Sequence, residues 1–176
     1  GQPSGMYTLT GLAHDDDSKV AYESAVNQRA MANRSKKLVT LRRSLRPPAV
    51  YGDDQGDLLV VGWGSTRGAI EEAIDGLRAE GERVSSVHLR FLSPLEPGLE
   101  DIFSRFDKVM TIEINYGDEL DGETFDHGSR RHAQLATWLR ARTLVDVDSW
   151  SRVPGAPLPP NMIRDAILSR LASGSP

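Results

Sequence analysis

An unbroken apolar run, Leu58-Leu-Val-Val61, meets a glycine turn, Gly62-Trp-Gly-Ser-Thr-Arg-Gly68, and a segment of helical period follows at once. The run predicts a short strand buried on both faces. Gly62 and Gly64 let the backbone turn sharply and admit close approach by another group. Ser65 or Thr66 stands where a helix cap is needed. Beyond it, Ala69, Ile70, Ala73, Ile74 and Leu77 share one helical face, and Glu71, Glu72, Asp75 and Arg78 share the other. Gly81 is placed to end that helix. The stretch is the first strand–turn–helix of an α/β unit.

The rest of the chain extends this pattern. Residues 20–46 lack Gly and Pro and are rich in Ala, Arg and Lys, which predicts a helix with a thin apolar face: Val26, Ala30, Met31, Leu38, Leu41 and Leu45. Pro47-Pro48 stops it. Ala49-Val-Tyr51 reads as a short strand, and the tight link 52–57 suits an antiparallel neighbour for the Leu58 strand. A strand over 84–92 follows, then a helix marked by Leu99, Ile102, Phe103 and Phe106, then a strand over 108–114. Alternation at this spacing means right-handed crossovers and a parallel sheet. Residues 117–131 form a long, acidic, Gly-rich loop, of a length that points to mobility or function. A third helix carries Ala133, Leu135, Ala136, Trp138 and Leu139, the last strand runs Leu144-Val-Asp-Val-Asp148, and Met162, Ile163, Ala166, Ile167 and Leu171 define a final helix.

Composition narrows the classes. The 176 residues fit one domain with an arm, and 39% hydrophobic and 26% charged content is ordinary for a soluble globular protein. A net charge of −4 gives no electrostatic reason to expect a nucleic acid or an anionic membrane as partner. The chain has no Cys, which excludes disulfides, Cys-ligated zinc and an iron–sulfur cluster held by this polypeptide. No apolar run is long enough to span a bilayer. The opening Gly-Gln-Pro-Ser-Gly has no signal-peptide pattern and reads as the start of a fragment or processed piece.

Candidate chemistry is sparse. Gly62-x-Gly64-x-x-x-Gly68 has its third Gly one position too late for a dinucleotide fingerprint, and Phe91-Leu-Ser93 stands where an acidic ribose ligand belongs. The Gly62–Thr66 backbone still offers a helix N-terminus to a small anion, so Gly62, Gly64, Ser65 and Thr66 are candidate ligand contacts. Glu113 lies near the carboxyl end of a predicted strand, where open parallel sheets place ligand-facing groups, and is the carboxylate to test first; the competing expectation pairs it with an Arg at an interface. His88, inside a strand beside Arg90, reads as structural. His14-Asp-Asp-Asp17 is expected to be a solvated loop that caps the next helix rather than a cation site. The basic stretch 34–46 reads as a solvated arm lying across a neighbouring domain or subunit, since aromatics to stack on bases are missing. His127, Arg130, Arg131 and His132 need no functional explanation. No catalytic constellation emerges and no metal site is expected.

Three ordered motifs, Val61-Gly-Trp-Gly-Ser-Thr-Arg-Gly-Ala-Ile70, His88-Leu-Arg-Phe-Leu-Ser-Pro-Leu95 and Glu113-Ile-Asn-Tyr-Gly117, resemble the C-terminal domain of the α subunit of 2-oxoacid:ferredoxin oxidoreductases, the 2-oxoglutarate type most closely. Thr10-Gly-Leu-Ala-His-Asp15 and the charged helix after it resemble the segment leading into that domain. The resemblance implies a transketolase C-terminal-like domain over 49–176, with 1–48 as connecting segment and charged helix. Its fold would be a three-layer α/β/α arrangement around a mixed, mostly parallel five-stranded sheet, one strand antiparallel to four. One departure is plain: in the family the Glu-x-Asn-x-Gly element runs almost directly into a helix, whereas Asp118 to Ser129 intervene here.

What the resemblance implies about function is equally specific. The complete enzyme, cytoplasmic and tied to the TCA cycle, uses thiamine diphosphate with Mg2+ to decarboxylate a 2-oxoacid. It joins the acyl group to coenzyme A and sends electrons through an iron–sulfur cluster to ferredoxin. Those cofactors belong elsewhere, mainly to a β subunit, and the present chain would bind none of them. Its work would be architectural, packing on upstream α-subunit domains and on the β subunit. Two other readings are a free-standing small-molecule or nucleotide-binding module using the Gly62–Thr66 turn, and the C-terminal domain of a transketolase-like protein or 2-oxoacid dehydrogenase β subunit.

Overall fold

The structure, a computed structural model, describes residues 2–173. The chain divides into two compact units, one holding the chain to Leu45 with Ser93–Leu95, the other Arg46–Leu92 and the chain from Glu96. In the first, helix α1 spans Ser24–Ser44 and has no buried residue. It starts four residues later than the sequence pattern suggests because the preceding segment closes a small hairpin: His14 bridges Val20, and Asp15 Oδ1 accepts the Asp17 and Lys19 amides, each at 2.9 Å. The acidic run therefore pins a turn and does not cap α1, whose N-cap, Glu23, makes no side-chain cap bond.

The second unit is built on a five-stranded sheet. Its elements in chain order are β1 (Val50–Tyr51), β2 (Gly56–Trp63), α2 (Arg67–Ala79), β3 (Val84–Leu89), α3 (Leu99–Phe103), β4 (Phe106–Glu113), α4 (Gln134–Thr143), β5 (Val147–Ser151) and α5 (Pro160–Ala172). Strand order is β1-β3-β2-β4-β5, with β1 antiparallel and the other four parallel. This is the mixed α/β sheet expected. One pairing differs from expectation: β1 lies antiparallel beside β3, not beside β2. The short link fixes relative direction but not adjacency, because four extended residues reach about 13 Å and two strand spacings need only about 10 Å. The link passes the start of β3, where Ser85 Oγ donates to Asp53 O at 2.8 Å and Arg78 holds the Asp53 carboxylate at 3.0 Å.

Right-handed crossovers fix the layers. The chain steps one way from β2 to β3 and the opposite way from β3 through β4 to β5, so α2 covers one face and α3 and α4 cover the other. Helix α5 joins α2. Leu58, Val60, Met110 and Ile112 of the sheet pack with Ile70, Ile74, Leu77, Ile163 and Ile167 in one buried cluster. Alternate residues Leu59, Val61 and Val109 are buried on the opposite face. Helix α2 ends as the glycine suggests. Gly81 has φ +98°, its amide reaches Arg78 O at 3.0 Å, and the Glu82 amide reaches Leu77 O at 3.1 Å, the Schellman pattern.

Strand β5 begins three residues later than the Leu144–Asp148 pattern indicates. Leu144 is the cause. It terminates α4 in the left-handed conformation, φ 57°, with its amide on Arg140 O at 3.0 Å and its side chain 90% exposed. A left-handed conformation at a branched residue costs on the order of 1 kcal/mol. Leu144→Gly should therefore raise the unfolding free energy by about 1 kcal/mol in urea titration; a loss of stability would contradict this account of the cap.

Candidate functional site

Strands β2 and β4 are neighbours whose connections leave in opposite directions, so the crevice outside their carboxyl ends is the topological switch point. The residues singled out in the sequence, Gly62, Gly64, Ser65, Thr66 and Glu113, all fall at these two strand ends. A single turn of 3-10 helix, Gly64–Thr66, separates β2 from α2. Gly64 takes φ +63° with open space around it, and Ser65 is exposed. Gly62 is spent on packing: a Cβ there would meet Thr66 Oγ1 at 2.9 Å and the Ile70 side chain. Thr66 is buried and donates its hydroxyl to Trp63 O at 2.9 Å, so it does not cap α2 with its side chain as expected. His88, opposite Gly62 in the register, has a buried Nδ1 with no partner. Burial first, and then the Arg67 guanidinium, lowers its pKa.

Glu113 is fully buried, and its carboxylate accepts four hydrogen bonds. Oε2 takes the Leu135 amide and Asn115 Nδ2, both at 2.8 Å. Oε1 takes the Thr111 hydroxyl at 2.8 Å and the Ala136 amide at 3.1 Å. Its partners are thus not an arginine but the first-turn amides of α4, whose own N-cap, Ala133, has no side-chain acceptor. A carboxylate is the acceptor that best suits those orphan amides and the positive end of the helix dipole. The rest of the Glu113–Gly117 motif supports this contact. A Cβ on Gly117 would come within 2.9 Å of both the Ala133 amide nitrogen and Ser151 Oγ. Tyr116 lies under the Arg131 guanidinium, 5.0 Å from ring centroid to Cζ.

The long loop is closed on itself. At its neck the Asp118 amide reaches Arg131 O at 2.9 Å and the Arg131 amide reaches Asp118 Oδ2 at 2.8 Å. Within it, Asp121 Oδ1 accepts the amides of Glu123, Thr124 and Phe125, and Asp126 Oδ1 accepts those of Gly128 and Ser129. Arg130, just inside the neck, and two other arginines seal the outer edge of β5. Arg140, Arg130 and Arg152 donate to the carbonyls of Val147, Ser149 and Ser151 at 2.9, 2.7 and 2.8 Å. These are alternate residues of an edge strand, whose unpaired carbonyls would otherwise invite another chain. Sequence reasoning missed this seal: the spacing of Arg130, Arg140 and Arg152 has no period, and only the outward carbonyls of β5 give it one.

Over 179 aligned residues the chain is 31% identical to 2-oxoglutarate oxidoreductase subunit KorA of Mycobacterium tuberculosis, covering 98% of this chain and 24% of that protein. It is 34% identical to subunit alpha of 2-oxoacid:ferredoxin oxidoreductase 1 of Aeropyrum pernix, over 64% of this chain and 19% of that one. The chain is a homologue of 2-oxoacid:ferredoxin oxidoreductase α subunits. It aligns with about a fifth to a quarter of the length of those relatives. A solved 2-oxoglutarate:ferredoxin oxidoreductase from Magnetococcus marinus, with 2-oxoglutarate, coenzyme A and succinyl-CoA bound, shares the fold at TM-score 0.72 and 24% identity, over 97% of this chain and 28% of that one. No protein-family model matches.

A cluster of iron and sulfide needs thiolates, and the chain has none. Among the described residues no three His, Cys, Asp or Glu side chains come together to hold a metal, and no helix is long and apolar enough to cross a membrane.

Two outcomes test this geometry. Glu113→Ala leaves two helix amides, a hydroxyl and an amide side chain without their acceptor and should cost about 3 kcal/mol or more, with Glu113→Gln costing less; unchanged urea midpoints in both would contradict the cap. The Phe125, Thr124 and Glu123 amides hold the Asp121 carboxyl below its ordinary 3.8. That contribution to loop order is present above the unfolded value and is lost as pH falls through the lower folded one. Amide resonances of residues 123–125 should titrate with a midpoint below 3.8; a midpoint at or above it would contradict the Asp121 turn.

Proposed function

We propose that this chain is the C-terminal, transketolase C-terminal-like portion of the α subunit of a 2-oxoglutarate-type ferredoxin oxidoreductase, and that its role is architectural. In this reading residues 1–48 are a connecting segment with a charged helix, and 49–176 form the domain. The observation that carries the architectural part is the saturation of Glu113. The best-placed carboxylate at the switch point is fully committed inside the fold, Gly62 is closed in by Ile70 of α2, and the Thr66 hydroxyl is spent on Trp63 O. Near-complete alignment with α-subunit relatives supports the assignment to that subunit.

The whole enzyme decarboxylates 2-oxoglutarate with thiamine diphosphate and Mg2+, forms the acyl-CoA and reduces ferredoxin in the cytoplasm, as a step of the TCA cycle. The thiamine site and the iron–sulfur cluster lie in other domains, chiefly those of the β subunit. This chain packs against the β subunit and the upstream α-subunit domains. The lack of any thiolate in the chain fits that division of labour.

The test is reconstitution. The chain alone, given 2-oxoglutarate, thiamine diphosphate, Mg2+, coenzyme A and ferredoxin, should show no turnover. An α subunit lacking the matching segment, combined with the β subunit, should be impaired and recover when this chain is added. Turnover by the chain alone, or full activity of the truncated complex without it, would overturn the proposal.

A further inference from the structure

We propose that α1 is a docking helix, received by a protein neighbour in the enzyme complex in an apolar groove rimmed by aspartates and glutamates. The inference rests on the reading of the chain as part of a larger α subunit, and it names a surface that joins this part to the rest.

The helix lacks the usual sources of its own stability. It spans 21 residues and buries none of them. Its N-cap, Glu23, makes no side-chain cap bond, and its first turn holds no acidic residue. Six side chains are cationic (Arg29, Arg34, Lys36, Lys37, Arg42 and Arg43) and none is anionic, so no opposite-charge pair forms along the helix. Most helical stability in proteins comes from packing an apolar face on something else. For α1 a partner supplies that packing.

The exposed side chains define the partner's chemistry. Met31, Leu38 and Leu41, at i, i+7 and i+10, share one face and are 51%, 42% and 36% exposed. Arg34 lies among them, with its Nη1 3.3 Å from the Met31 sulfur, and Lys37 and Arg42 border the stripe. Among the described residues Arg29 is the only one of the six cations with a carboxylate partner, Asp16 at 3.3 Å. A narrow apolar stripe with cations within and beside it complements a groove of apolar floor and acidic rim. A nucleic acid fits less well, because α1 has no aromatic side chain to stack on bases. A membrane surface also fits less well, because the stripe has no Trp or Phe and is interrupted by Arg34.

The experiment compares the chain alone with the complex purified through its β subunit. A water-soluble carbodiimide joins a lysine amine to a carboxylate in contact with it, and mass spectrometry identifies the joined peptides. Lys37, beside the stripe, should be joined to an Asp or Glu outside this chain. In hydrogen exchange the α1 amides should exchange about tenfold more slowly in the complex than in the chain alone. Arg34→Glu combined with Lys37→Glu should remove that protection or keep the folded chain out of the complex. Because α1 buries no residue, the pair should leave the urea midpoint of the chain unchanged. Equal exchange of α1 in complex and free chain overturns the proposal. So does protection that survives the double reversal, joining of Lys37 to carboxylates of this chain only, or protection by phosphatidylglycerol vesicles but not by the complex. Those results leave the α-subunit reading standing, whereas failure of the wild-type chain to copurify with a β subunit overturns both.

Discussion

Strand β4 carries a charge at each end, and each charge meets the helix terminus of opposite sign. At its carboxyl end Glu113 receives the first-turn amides of α4. Near its amino end Lys108 Nζ donates to the last carbonyls of α5, Arg170 O at 3.0 Å and Leu171 O at 3.2 Å. Residues 108 and 113 differ by an odd number, so their side chains leave on opposite faces, which is why one strand serves helices in both outer layers. Burying a carboxylate is unfavourable unless its lone pairs are filled by donors, and Glu113 is buried with four. That condition ties the end of β4 to the start of α4 across the whole intervening loop, so the loop is free to lengthen without moving the helix it precedes.

The edge of the sheet is managed by a different use of charge. Three arginines from three separate segments stand where a sixth strand would pair with β5. Guanidinium groups satisfy the carbonyls yet offer no further ladder, so the edge is closed to strand addition.

Much of this was legible before any coordinates. The Leu58 run, the amphipathic period of α2 and the Gly81 stop were local signals, and the structure has all three. The antiparallel direction of β1 was legible, but its neighbour was not, since direction follows from link length and adjacency does not. Leu144 misled the placement of β5 because an apolar Leu-Val pair reads as strand, while tertiary context used Leu144 as a left-handed helix cap. Thr66 looked like a cap by position but donates its hydroxyl backwards to Trp63. Glu113 was legible as the carboxylate to examine. Its role was not, because its amide partners lie 22 and 23 residues downstream and belong to a helix whose N-cap is an uninformative Ala.

First-turn helix amides ordinarily lack an intrahelical partner and exchange quickly. Native-state hydrogen exchange at Leu135 and Ala136 therefore addresses the Glu113 contact most directly. If the buried carboxylate joins strand to helix as described, both amides exchange as slowly as those of the β4 core, through global unfolding only. Exchange at the rate of an open helix end would mean that the carboxylate does not hold α4, and the central claim would fall.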